Sequence, residues 1–397
     1  MGRINMITRL RTIASALTLL VGAGLATAQT PSFTPLAGFG GVFTGWRQPG
    51  ESIPGDSVAG PYPYLGTVNL ERGLAYNPTT GNLVLVSRTN QAQGTNVRIL
   101  SGTTGADVGF LDQTGGTVTG GTFLMNMVGV AQDGAIYVSN LQTNVNTGQY
   151  RIYRWGSEAS AIDPTPYFAG TISGFTGTPR LGDSIDVTGS GANTTIVAGV
   201  SGTVGYAVVT DSGGAGVATA VPTFSPPGPV AGDFRLGITF GANANEVWGK
   251  QTSAPLRVTT YSGSTGAAVA SSALVSAGEM AMDYVTVAGI PYLVTLDANS
   301  SIIRTYNVSN PAAPLLVIGA TGTTTSGPLV ANGNATGSIA IGPVDNNLNS
   351  FIVYAMSTNQ GIQAATIVVP EPATVLLIAG ASLAGVQGVR RLRRKSA

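Results

Sequence analysis

Short apolar strands, separated by turns, recur along the middle of this chain. Gly73-Leu74-Ala75-Tyr76 leads through Asn77-Pro78-Thr79-Thr80-Gly81-Asn82 into Leu83-Val84-Leu85-Val86, and Gly129-Val130-Ala131 leads through Gln132-Asp133-Gly134 into Ala135-Ile136-Tyr137-Val138. An Asp-Gly between two apolar runs is a strong hairpin signal. Four more pairs follow: Ile185-Asp186-Val187 with Thr195 to Ala198, Gly237 to Phe240 with Glu246 to Trp248, Met282 to Val285 with Pro291 to Val294, and Ile339 to Ile341 with Ser350 to Tyr354. Anchored on Gly73, Gly129, Gly182, Gly237, Ala281 and Ser338, the units are spaced by 56, 53, 55, 44 and 57 residues. A third strand usually follows, as at Val97 to Leu100, Tyr150 to Trp155, Leu256 to Tyr261 and Ile302 to Tyr306, and three of the four place arginine between apolar neighbours, which fits alternating faces.

Units near fifty residues with three or four strands each predict an all-β fold: a β-propeller-like repeat body of about six blades over residues 29–368. Small residues on each first strand suit the crowded position next to the axis. The segment Phe33 to Phe43 is placed to complete the last blade and close the ring. Two stacked sheets or an open β-solenoid are the alternatives. Asp211 to Gly232 and Gly319 to Gly337 interrupt the pattern and read as long loops or inter-blade linkers.

The two ends follow a different logic. Arg3, Arg9 and Arg11 precede an apolar run from Ile13 to Leu25, and Ala26-Thr27-Ala28 offers small residues for signal peptidase, so residues 1–28 read as a signal peptide cleaved before Gln29. A permanent N-terminal anchor is the alternative. Toward the C-terminus, Val369-Pro370-Glu371-Pro372-Ala373-Thr374 runs into 17 uncharged residues, Ala373 to Val389, followed by Arg390, Arg391, Arg393, Arg394 and Lys395. A helix of that length rises about 25 Å, at the short limit for a bilayer core, and the basic cluster behind it holds to the cytoplasmic side.

This tripartite segment over 369–397 resembles the PEP-CTERM sorting signal of exopolysaccharide-producing Gram-negative bacteria. The resemblance implies recognition of Val369, Pro370, Glu371 and Pro372 by an exosortase, which removes the transmembrane helix (373–389) with its basic tail (390–395). It further implies an inner-membrane precursor and a mature protein delivered to the outer envelope or the extracellular matrix. Pro370 and Pro372 favour an extended backbone at the motif, a shape that protease clefts accept. A plain stop-transfer anchor has the same helix and charges; the Pro-Glu-Pro motif in front is what separates the two. The body is similar to uncharacterised propeller-like domains of PEP-CTERM proteins, a likeness that carries no activity with it.

Composition narrows the function. With the terminal signals set aside, eleven basic residues face seventeen acidic ones, a net of −6, and the only lysine of the body is Lys250. No basic stripe exists to neutralise phosphates, so nucleic acid is not an expected partner. The chain has no cysteine and no histidine. Disulfides, Ser-His and Cys-His nucleophile pairs, and zinc sites built on those ligands are thereby excluded.

Carboxylates are the remaining acids and bases. Glu71, Asp183, Asp186, Asp233, Glu279 and Asp283 lie near the anchors, hence near the axis, where a ring of them suits a cation such as calcium or an acid/base pair. The competing reading makes them turn caps and ion-pair partners of Arg72, Arg180 and Arg235. Lys250 with Ser253 and the Gly38-Phe39-Gly40-Gly41 loop imitate a Ser-Lys pair and a phosphate loop, without the base environment or following helix those sites need. Trp46, Tyr62, Tyr64, Trp155, Tyr167 and Trp248 are candidate sugar-stacking platforms, or blade core.

The reading is of an exported, exosortase-sorted protein with a non-catalytic structural or binding propeller and no cofactor. Its partners would be signal peptidase and exosortase as processing enzymes, then extracellular polysaccharide or envelope proteins. The alternative is an extracellular carbohydrate-active enzyme. Two unpaired carboxylates converging on the axis in an open pocket would put that alternative first.

Overall fold

The computed structural model describes residues 29–41, 45–89, 94–159, 161–320 and 330–370. The signal segment 1–28 and everything from Glu371 onward, including the helix and basic tail, lie outside the described residues. The chain divides into Ser32–Val368 and a second unit made of the flanking segments; the account below concerns the first.

Six sheets follow one another in chain order. After β1 (Ser32–Pro35) and β2 (Trp46–Arg47), the first blade comprises β3 (Glu71–Tyr76), β4 (Asn82–Ser87), β5 (Val97–Ser101) and β6 (Asp107–Phe110). The second comprises β7 (Phe123–Val130), β8 (Ile136–Leu141), β9 (Tyr150–Trp155) and β10 (Thr165–Gly170); the third β11 (Arg180–Thr188), β12 (Thr195–Ser201), β13 (Tyr206–Ser212) and β14 (Ala215–Val221). Then come β15 (Thr223–Ser225) and the fourth blade, β16 (Gly237–Phe240), β17 (Glu246–Lys250), β18 (Leu256–Ser262) and β19 (Thr265–Ser272). The fifth holds β20 (Glu279–Val287), β21 (Ile290–Asp297), β22 (Ile302–Asn307) and β23 (Leu315–Ala320). The sixth holds β24 (Gly337–Asp345), β25 (Ser350–Ser357) and β26 (Gly361–Val368).

Within each blade the strands are antiparallel neighbours in sequence order. The first strands β3, β7, β11, β16, β20 and β24 each touch the next, and β24 returns to β3, which makes a closed ring of six blades. The chain closes it by lending β1 to the sixth blade, with Ser32 opposite Val368 and Pro35 opposite Ala365, while β2 pairs farther along β26. Phe33, at the head of the segment expected to close the ring, pairs with Ile367.

Local chemistry explains the hairpins. Between β20 and β21 the two-residue loop Ala288-Gly289 has φ of +48° and +79°, the mirror-image turn whose twist matches the flanking strands. The core lies between blades rather than inside one sheet; Val84, Ile99, Val128 and Ile136 fill the first interface, and equivalent clusters fill the following ones. The anchors are small for a steric reason. A Cβ on Gly73 would sit 2.7 Å from the Val128 backbone nitrogen of the next blade.

One expectation fails. Asp211 to Gly232, read as a loop or linker, contains the end of β13, all of β14, and β15, which pairs in parallel with β19. The sequence of β14, Ala-Gly-Val-Ala-Thr-Ala-Val, alternates small residues on an outer strand with little to bury, so its periodicity is faint. Of Gly319 to Gly337, the first two residues complete β23 and Gly337 opens β24, while 321–329 lie outside the described residues.

Candidate functional site: an axial cleft with a proton-sharing carboxylate pair

A cleft of about 290 Å³ runs along the axis, and all six inner strands line it with the same stretch of their length. At the middle of that stretch the six residues are Ala75, Gly129, Asp186, Thr239, Asp283 and Ala340. One half of the ring is therefore small and apolar. The other half is an Asp-Thr-Asp arc contributed by three consecutive blades.

Strand alternation creates the arc. Asp186 lies between Ile185 and Val187, and Asp283 between Met282 and Tyr284, so each carboxylate faces away from its flanking apolar side chains. Asp186 accepts hydrogen bonds from its neighbour Val187 N (2.7 Å), and from Phe240 N (2.7 Å) and Thr239 Oγ1 (3.0 Å) of the fourth blade. Asp283 accepts from Tyr284 N (2.8 Å), from Ile341 N of the sixth blade (3.1 Å), and contacts Thr239 Oγ1 at 3.4 Å. Two carboxylate oxygens thus share one hydroxyl and lie at most 6.4 Å apart.

A hydroxyl has a single proton to give. Donated to Asp186, it leaves the Thr239 oxygen free to accept, and a protonated Asp283 supplies the complement. Electrostatics points the same way. Burial raises the pKa of Asp283 to about 8, with the Asp186 charge adding to the rise, and burial also raises Asp186. The pair therefore holds one proton between its members near neutral pH. No arginine or lysine forms an ion pair with either, among the described residues.

The other four candidate carboxylates are occupied elsewhere. Asp183 binds Arg180 and Arg235, at 2.5 and 3.0 Å. Asp233 binds Arg257 (2.7 Å) and caps Val230 N. Glu279, fully buried, takes Arg304, Thr295 and both contacts from the Tyr306 hydroxyl. Glu71 accepts from Gly66 N and Asn359 N, and burial raises its pKa. Arg72, expected as an ion-pair partner, donates instead to the Glu71 carbonyl and the Thr336 hydroxyl. Among the described residues no three acidic side chains come together.

Two further expectations change. Lys250, which with Ser253 imitates a Ser-Lys pair in sequence, ends β17 fully buried; its Nζ lies 3.5 Å from the carbonyls of Gln251 and Ala277, and burial lowers its pKa. The six aromatics proposed as sugar platforms are all buried, none more than 6% exposed. Trp46, Tyr64, Trp155 and Trp248 each have a hydrogen-bond partner at their polar edge, and Tyr62 lies under the Arg47 guanidinium, so these aromatics are blade core. Thr239, which couples the two acids, was not among the sequence candidates. Its signal is positional: it occupies in the fourth unit the place that Asp186 and Asp283 occupy in theirs.

These features define a six-bladed β-propeller with an acid-bearing axial cleft. Residues 368–394 match the PEP-CTERM protein-sorting motif, so this propeller belongs to an exported, exosortase-sorted protein that passes through the membrane to the envelope. Among solved structures, a DUF4623 family protein from Bacteroides eggerthii is similar over 77% of this chain and 72% of its own, with a TM-score of 0.57 and 19% identity, a likeness of fold alone. A luciferin-regenerating enzyme aligns over 77% of this chain and 93% of its own at 10% identity and a TM-score of 0.40. No curated protein matches the chain.

Proposed function

We propose that the mature body is a non-catalytic binding propeller of the outer envelope or extracellular matrix, which admits one small polar group, such as a single sugar ring of a polysaccharide, to its axial cleft. One observation carries this reading and keeps it ahead of the enzyme although two axial carboxylates converge: every oxygen of the Asp186–Asp283 pair already accepts a hydrogen bond from the fold, so neither acid is unpaired. The pair spends its lone pairs on tying four consecutive blades together and its proton on Thr239. A cleft of about 290 Å³ is also at the lower limit of ligand pockets, enough for a ring and too small for a chain segment.

The second reading is a carbohydrate-active enzyme, and a specific observation favours it. Two axial carboxylates do converge without a cationic partner, their Thr239-linked oxygens no more than 6.4 Å apart, and burial raises the pKa of Asp283 to about 8. Asp283 would be the acid and Asp186 the base or nucleophile. Calorimetry and a reducing-end assay with oligosaccharides released from the host's own polysaccharide, on wild type, Asp186→Asn and Asp283→Asn, separate the two. Binding that survives in at least one variant, with no new reducing ends, is expected. Time-dependent reducing ends that vanish in both variants would overturn the binding reading in favour of the enzyme.

A further inference from the structure

Arginines crowd the end of the axis where the inner strands begin. Arg72 is the second residue of β3, Arg88 follows β4 alongside it, Arg180 opens β11, and Arg235 lies two residues ahead of β16. Elsewhere the ion pairs are one to one: Arg47 with Asp56, Arg98 with Asp107, Arg257 with Asp233, and Arg304 with Glu279. Here Asp183 alone receives both Arg180 and Arg235. Glu71 acts on Arg72 electrostatically, but its oxygens are held by the Gly66 and Asn359 amides. Four guanidiniums therefore face two carboxylates.

The surplus cations rest on neutral groups. Arg72 leans on the Glu71 carbonyl and the Thr336 hydroxyl. Arg88 donates through Nε and Nη2 to one oxygen of Asn126, whose amide nitrogen donates to the Gly182 carbonyl, and its guanidinium lies 3.3 Å from the Phe123 ring centre. Arg180 Nε is buried with no hydrogen-bond partner among the described residues. Arg180 and Arg235 keep 34% and 31% of their side chains exposed, so the cluster opens to solvent.

We propose that this cluster is an oxyanion site, which takes a carboxylate or sulfate group of an anionic ligand between Arg88, Arg180 and Arg235. Planar, permanently charged guanidiniums bind such groups through paired N–H donors. The guanidiniums also repel one another. Burial, then repulsion from Arg72, lowers the pKa of Arg88 to about 9, and burial lowers Arg72. A bound oxyanion would offset the repulsion between the guanidiniums. The site is separate from the Asp186–Asp283 pair, and its failure would leave the axial-cleft reading untouched.

The test is calorimetric titration of the purified body with sodium sulfate, sodium glucuronate and neutral glucose, at constant low ionic strength held with chloride. Either anion or both bind and glucose does not; sulfate alone or glucuronate alone tells which oxyanion the site takes. Arg235→Gln weakens binding about tenfold, as loss of one charge-assisted contact should. Asp183→Asn removes the internal competitor and tightens it, an effect that a merely structural role would not produce. If Asp183→Asn does not fold, Arg88→Gln serves instead, its affinity compared with wild type at a temperature where both are folded. Absence of anion binding to wild type, or equal binding in Arg235→Gln and Arg88→Gln, overturns the proposal.

Discussion

Asp283 makes the stability of this protein fall as the pH rises, which is the reverse of what a salt-bridged carboxylate does. Its folded pKa is about 8 against an ordinary value of 3.8. Between pH 5 and 7 the folded state therefore keeps a proton that the unfolded chain has released. Where the unfolded state binds one proton fewer, unfolding free energy drops by about 1.4 kcal/mol per pH unit, or about 2.7 kcal/mol over this window. The body's unfolding entropy is about 0.7 kcal/mol per kelvin, from about 2.1 cal/mol/K for each of about 340 residues. The melting temperature of wild type should then be about 4 °C lower at pH 7 than at pH 5, measured by circular dichroism. Glu71, also raised by burial, adds to the same slope. Asp283→Asn, which has no proton to release, should flatten most of it, while Asp186→Asn, by removing a repelling charge, should shift the slope to lower pH. A wild-type melting temperature that is flat or rises from pH 5 to 7, or an Asp283→Asn variant with an unchanged slope, would refute the shared-proton arrangement.

Two other predictions test the ring and the tail. A Cβ on Gly237 would collide with the Met280 carbonyl of the fifth blade, so Gly237→Ala should cost about 2–4 kcal/mol in urea unfolding, whereas Gly333→Ala, with open space around it, should be near neutral. Sorting is read by intact mass: protein from its own host should lack the segment after the Pro-Glu-Pro motif, and Glu371→Ala should retain it; a chain still extending to Ala397 in both would make the tail a plain anchor.

The repeat was legible because each first hairpin buries both faces and is therefore apolar in sequence. Outer strands were not. β19, Thr-Gly-Ala-Ala-Val-Ala-Ser-Ser, has alternate residues exposed and none of the bulk that marks a core strand. At the axis, Asp186 and Asp283 stood out as single charges inside apolar triplets. Their relation to one another did not, since it depends on Thr239 and on amides of neighbouring blades some fifty residues away. Arg88 and Asn126 were missed for the same reason: one follows a strand, the other interrupts the apolar run of β7, and only the packing of consecutive blades brings Arg88 to Asn126 and Asn126 to Gly182. The aromatics misled because the large apolar bodies of tryptophan and tyrosine are as much at home between blades as on a binding face.

The seam between β1 and β26 joins the beginning of the body to its end, Ser32 beside Val368. In a chain that crosses a membrane from its N-terminal side, β1 emerges first and β26 last. Five blades can form as they arrive, but the ring cannot lock until the strand directly ahead of the sorting motif is outside. The seam thus works as a proof of completeness: a truncated or stalled chain leaves β1 without its partner and the sixth blade unmade. The exported molecule reaches its final shape only when the strand just ahead of its sorting motif has been delivered.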